Sequence, residues 1–184
     1  MKNLSFTILI LTCCFSISGQ EPLSYTQIFE TDSVGKTAIF VAINDWMATN
    51  YNSATDVLQM ADKDAGIFIG KAVMKYTNNT LGFMYSSGYI EYTIKIYIKE
   101  NRFKVELLNF THKGSPEAHS SYSFGLLTTS DTFKAPQGMW QNGYDKTWDH
   151  IKQSADSNAK SIMLSMEKLA SEIKKYNETS QDNW

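Results

Sequence analysis

From Ile90 to Lys99 the chain alternates residue by residue, with Ile90, Tyr92, Ile94, Ile96 and Ile98 set against Glu91, Thr93, Lys95, Tyr97 and Lys99. Successive side chains of a strand point to opposite faces, so the pattern predicts a strand with one face buried and the other in water. Glu100-Asn101 supplies a turn, after which Phe103, Val105 and Leu107 resume the alternation against Lys104 and Glu106. The apolar set then slips to Leu108 and Phe110. Such a slip predicts a bulge, or a strand passing into full burial.

A different period precedes this hairpin. Ile39, Ala42, Ile43, Trp46 and Met47 recur at the three- and four-residue spacing of a helix face, predicting a helix that ends near Tyr51, with Asp32 or Ser33 as its cap. Leu23 to Glu30 reads as a first strand. Thr55 to Met60 and Ile67 to Tyr76 read as a hairpin around the turn residues 61–66, and Asn78 to Gly82 is a second breaker cluster. From about Tyr144 to Tyr176 the helical spacing returns through Trp148, Ile151, Ala155, Ala159, Ile162, Met166 and Ile173, and Ser154 to Asn158 marks a point where it could kink or break. Residues 177–184 are expected to fray. The sum is a single α+β domain over 20–176, a curved antiparallel sheet with helices packed on one face. Between His112 and Tyr144 neither period holds, so the irregular segment 114–143 is either a short unresolved element or a functional loop.

Composition narrows the class without naming a reaction. Of 184 residues, 42% are hydrophobic and 20% charged, which is globular composition, and the formal charge of -2 lacks the basic excess that phosphate binding requires. The first residues change this arithmetic. Lys2, the apolar run Leu4 to Phe15 and the small residues Ser16 to Gly19 form a signal-peptide pattern over 1–19, too short to span a membrane. Export to the periplasm or cell exterior is therefore expected; the alternative is a lipoprotein anchored through Cys13 or Cys14, although neither is preceded by the usual small residue. Cleavage after Gly19 removes both cysteines and Lys2, taking the formal charge to -3 and leaving packing alone to hold the fold.

The order of elements, the segment TDVLQMADKDAGIFIGKA with Asp62, Lys63, Gly66 and Gly70-Lys71, the paired strands YIEYTIKIYIKENRFKVELLNF and the late Trp148-Asp149-His150-Ile151-Lys152 helix carry a resemblance. Together they resemble a domain of unknown function with a TATA-binding-protein-like fold found in exported Bacteroidetes proteins. The match runs from about Ser24 to Phe110 and resumes at Trp148. It implies a curved antiparallel sheet, one helix inserted after the first strand and another after the last. It implies no activity, and a shared fold does not carry DNA binding with it.

Chemical signatures are sparse. His112, His119 and His150 have no ligand spacing and read as surface or loop groups, Asp62 to Gly66 reads as a charged turn, and Glu91 and Glu106 read as strand carboxylates paired with Lys95 and Lys104. No catalytic residue, metal or cofactor is assigned, and an enzyme is the less expected outcome. The remaining candidates are Tyr122, Phe124, Phe133 and Trp140, aromatics among small polar residues that either anchor a partner or fold back over the open side of the sheet. The leading expectation is a non-catalytic envelope binding or scaffolding domain whose partner is another envelope protein. A small-molecule or glycan binder using the open sheet face is the alternative, an unrecognised hydrolase follows, and nucleic acid is not expected as a partner.

Overall fold

β4 (Gly88–Lys99) and β5 (Arg102–Gly114) form the centre of the molecule, antiparallel and joined at Glu100-Asn101, where Asn101 takes a positive φ of 65°. In this computed structural model, which describes residues 20–51, 57–80, 82–116 and 121–181, the two strands bury Ile90, Ile94, Ile96, Val105 and Leu107 to 1% exposure or less. Each such side chain contributes about 1.5–3 kcal/mol by leaving water. The expected slip is a bulge in β5: Thr93 pairs with Leu108 but Glu91 with Thr111, and Asn109 in between has φ 58°. Before it Phe103, Val105 and Leu107 face the core; after it Phe110 and His112 do.

The sheet runs β1-β5-β4-β3-β2, with β1 (Tyr25–Glu30), β2 (Leu58–Asp62) and β3 (Ile67–Tyr76) all antiparallel to their neighbours and the two-residue β6 (Gly125–Leu126) beside β5. Because β1 and β2 lie at opposite edges, α1 (Lys36–Asn50) between them must cross one face. α2 (Gln141–Gln181) packs on the same face, donating no strand but accepting the Tyr25 hydroxyl at Asp156 Oδ1, 3.2 Å, while its Ser165 Oγ accepts the Trp46 indole N–H, 3.1 Å.

Three local expectations are corrected. Asp32 and Ser33 do not cap α1: both have positive φ, Gly35 is the N-cap residue, and the Lys36 amide donates instead to Glu100 Oε2 at 3.0 Å. A carboxylate from the β4–β5 turn thus meets the partial positive charge of the helix start, leaving Asp32 to pair with Lys174. The closing helix neither breaks at Ser154 to Asn158 nor stops at Tyr176. Ser154 and Ser157 bond back to the carbonyls of His150 and Gln153, which absorbs their polarity within the helix, and α2 continues to Gln181. His112 lies on β5 and is buried, not at the surface.

Gly88 begins β4 directly opposite Gly114, where a Cβ would collide with the Lys113 carbonyl oxygen. Gly88→Ala is expected to cost about 3 kcal/mol, read as a lower urea midpoint with the m-value unchanged.

Candidate binding surfaces

The irregular segment joins the sheet only through the short β6 ladder, and beyond it side chains pin the backbone. Gln141 Nε2 donates to the Phe133 carbonyl at 2.6 Å, Asp145 Oδ1 accepts the Phe133 amide at 3.0 Å, and Trp148 Nε1 and Lys152 Nζ both donate to the Ser130 carbonyl. Buried backbone polar groups must find partners, and the first turns of α2 supply them here.

This anchoring decides where the predicted aromatics go. Phe124 is buried 5.7 Å from the Tyr144 ring and 4.7 Å from Phe133, which in turn lies 5.3 Å from Trp148. Tyr122 stands edge-on to both Phe124 and Tyr144 at 5.1 and 5.3 Å. The expectation that the segment folds back over the open side of the sheet is overturned. It packs on the helix side, because the Phe124 amide donates to His112, which faces the helices. Of the four predicted residues, Phe124 is inaccessible, Tyr122 and Phe133 are half-buried, and Trp140 is 66% exposed.

Tyr122 and Trp140 meet again at a cleft of about 590 Å³ floored by Phe83, Tyr85 and Tyr144 and rimmed by Met139. Gly143 sets its width: a Cβ there would lie 2.9 Å from Trp140 Cε3 and 3.4 Å from Phe83 Cε1, so only glycine lets the indole lie against the start of α2. Among the described residues no charged side chain lines the cleft. Burial, with Tyr85 and Tyr122 close by, pushes the Tyr144 hydroxyl above the ordinary tyrosine range and keeps it a neutral hydrogen-bonding group. The lining can therefore grip an uncharged ligand through aromatic faces and phenol hydroxyls.

The second surface is the face of the sheet that carries no helix. Directly opposed residues of antiparallel strands share a face, which places Lys95, Lys104, Glu106, Tyr97, Ile28 and Met60 together on this side. Lys104 binds Glu106 at 2.6 Å and lies 4.6 Å from the Tyr97 ring centre, and Lys113 binds Glu91 across the strands at 2.7 Å. Glu91 and Glu106 are thus ion-paired, as their neighbourhood suggested, although with a partly different set of lysines.

Catalytic geometry is not assembled from the remaining candidates. His112 is fully buried, its Nε2 donating to the Ser86 carbonyl at 2.8 Å and its Nδ1 accepting from Phe124, while exposed His150 pairs through Nδ1 with the Tyr76 hydroxyl at 2.7 Å. His119 lies outside the described residues, as do Cys13 and Cys14. Asp62 closes its own turn, accepting the Ala65 amide at 2.8 Å with Gly66 at φ 70°. Among the described residues no group of three His, Cys, Asp or Glu could hold a metal, and no helix is long and apolar enough to cross a membrane.

With this architecture established, comparison with known proteins is informative about family. Residues 25–113 match the model described as "Domain of unknown function (DUF4468) with TBP-like fold". Over this stretch the chain is similar to the DUF4468 family. The crystal structure of a TBP-like protein from Parabacteroides distasonis is similar at TM-score 0.52 with 14% identity, covering 82% of this chain and 93% of that one. A DUF4468 family protein from Bacteroides ovatus gives TM-score 0.47 and 13% identity over 74% and 81%. No curated protein matches the sequence. The similarity bears on the fold, a TBP-like open antiparallel sheet with helices.

The DUF4468 match ends at Lys113, so most of the cleft lies beyond it, on 121–144. Reading the sequence for aromatics found Tyr122 and Trp140 but missed Phe83, Tyr85, Met139 and Tyr144. The signal was present in the aromatic pair Phe83 and Tyr85 just after the breaker cluster 78–82, yet nothing local says that this turn meets the start of α2.

Burial lowers the His112 pKa to about 4, the Ser86 carbonyl opposing the shift only in part, against about 6.5 in an unfolded chain. Above pH 6.5 both states are neutral. As pH falls from 6.5 to 4 the unfolded chain takes up a proton that the folded one refuses, so stability is lost across that window, by about 3 kcal/mol in all, with no further loss from this group below it. Urea titrations at a series of pH values should show this slope in the native protein and a flatter one in His112→Asn.

Proposed function

We propose that this protein is an exported, non-catalytic binding domain of the cell envelope, and that it holds its partner at the aromatic cleft beside the start of α2. The observation that carries the reading is the exposed Trp140 ring poised on Gly143 over a preformed, uncharged floor of Phe83, Tyr85 and Tyr144. Large aromatics on a fixed frame bind at low entropic cost and recur as anchors of interfaces. Export is supported by the charged, apolar and small-residue order of residues 1–19. Fractionation of cells should recover the protein, shortened at its amino terminus, in the periplasm or medium; a full-length protein in the cytoplasm rejects that part.

An envelope protein presenting an apolar side chain is the preferred partner. A glycan is the second reading, favoured by the tyrosine hydroxyls among aromatic faces, the lining that a sugar ring with one apolar face and polar edges fits. A photo-crosslinking residue at Met139, irradiated in intact cells, should trap a discrete protein. Trp140→Ala should weaken capture about tenfold or more, and Gly143→Ala, which displaces the indole, should do likewise. If capture fails while cell-wall fragments quench Trp140 fluorescence, the glycan reading holds; if neither occurs, the cleft is not a binding site.

A further inference from the structure

On the open side of the sheet the balance of charge departs from that of the chain. Arg102, Lys104 and Lys113 are neutralised there by Glu30, Glu106 and Glu91, and Asp62 is turned to its own loop amide. Lys71, Lys75, Lys95 and Lys99 share the face through their register with β4 and β5, and none of them forms an ion pair among the described residues. One face therefore carries an excess of basic side chains in a protein whose formal charge is -2. The same face exposes aliphatic groups at its margins. Ile28 is 55% exposed on edge strand β1, Val73 is 59% exposed where β3 runs beyond β2, and Met60 is exposed on edge strand β2.

We propose that this face docks an acidic, amphipathic polypeptide segment, with its carboxylates over the central lysines and its apolar flanks on Ile28, Val73 and Met60. Five strands at about 4.8 Å spacing give a face about 20 Å across, which one helix of about 20 residues, about 30 Å long, spans from margin to margin when laid across the strands. The height of the side chains selects a polypeptide over a lipid surface. Lysine ammonium groups stand on stems of about four carbons, so they would stop at a headgroup layer before the shorter Ile28 and Val73 reached acyl chains. A sugar or nucleic-acid polyanion would leave the aliphatic margins without a partner, whereas a peptide offers carboxylates and apolar side chains at one height. The inference is independent of the aromatic cleft, which lies on the helix side.

The test uses the full chain after its first 19 residues and a fluorescent peptide of about 20 residues, Glu and Leu at amphipathic helical spacing. Anisotropy should report saturable binding that weakens with added salt, about tenfold weaker binding for a scrambled peptide of the same composition, and a loss of tenfold or more in Lys71→Glu/Lys95→Glu. Circular dichroism and urea midpoints establish that the variant is folded, and Trp140→Ala should bind the peptide unchanged, which separates failure of this face from failure of the cleft. Three results overturn the proposal: no binding at millimolar peptide, equal binding by the folded charge-reversal variant, or tighter binding of phosphatidylglycerol vesicles or duplex DNA than of the peptide.

Discussion

Up to the bulge at Asn109, β5 turns Phe103, Val105 and Leu107 toward the helices; beyond it Phe110 and His112 take that direction. In unbroken register Thr111 and Lys113 would have pointed inward, and burying an unpaired ammonium costs far more than a sheet recovers. The bulge therefore settles what the corner of the molecule contains. It brings His112 under Phe124 and against the Tyr76 ring at 5.3 Å, and the imidazole, bonded at both nitrogens, ties the 3₁₀ turn Met84–Ser86 to the segment after residue 121. Those two segments form two sides of the aromatic cleft, and residues 139–144 at the start of α2 form the third. The cleft thus rests on one extra residue in a strand that contributes nothing to its lining.

The helix-bearing face and the bare face follow from the same alternation but under different constraints. Burial is demanding: among the inward residues Phe68, Ala72, Ile94 and Ile96 are 1% exposed or less, and Ala155 and Ala159 of α2 are fully buried, small enough for the helix to approach closely. The outward residues face no such packing test, so their identities carry more information about partners. A sheet kept soluble only by polarity could use paired charges throughout, as at Lys104–Glu106 and Lys113–Glu91. Lysines without an ion pair among the described residues, set between aliphatic margins, are not what solubility alone requires.

The sequence made most of the frame legible because it is written in local periods. The alternation of Ile90 to Ile98, the turn at Glu100-Asn101 and the stripe from Ile39 to Met47 each report a face and are found as read, and the slip after Leu107 is found as a bulge that turns Phe110 inward while Leu108 stays on the outer face beside Thr93. Failures occurred where a distant group supplied what the local sequence lacked. Asp32 and Ser33 look like caps because their side chains could bond amides, but Glu100, far along the chain, occupies that place. The segment after Gly114 has no period because it joins the sheet over only the two residues of β6, and farther on Ser130 and Phe133 are held by Gln141, Asp145, Trp148 and Lys152, side chains that a reading of the segment itself cannot include. The cleft was half legible for the same reason: Tyr122 and Trp140 stood out, but their floor comes from a turn some forty residues earlier.

The two candidate surfaces lie on opposite sides of the same strands, and this bears on how they could work together. Coupling between sites needs an element with two arrangements that both ligands bias. β3, β4 and β5 offer none: their ladders are continuous over ten or more residues, broken only by the bulge, and the inward side chains are close-packed. Occupation of the cleft would leave the lysine spacing on the other face unchanged, and occupation of that face would not move Trp140. With both proposed partners bound, a domain built this way would join them by holding both at once, the strength of the join being set by geometry and effective concentration, not by one partner altering affinity for the other.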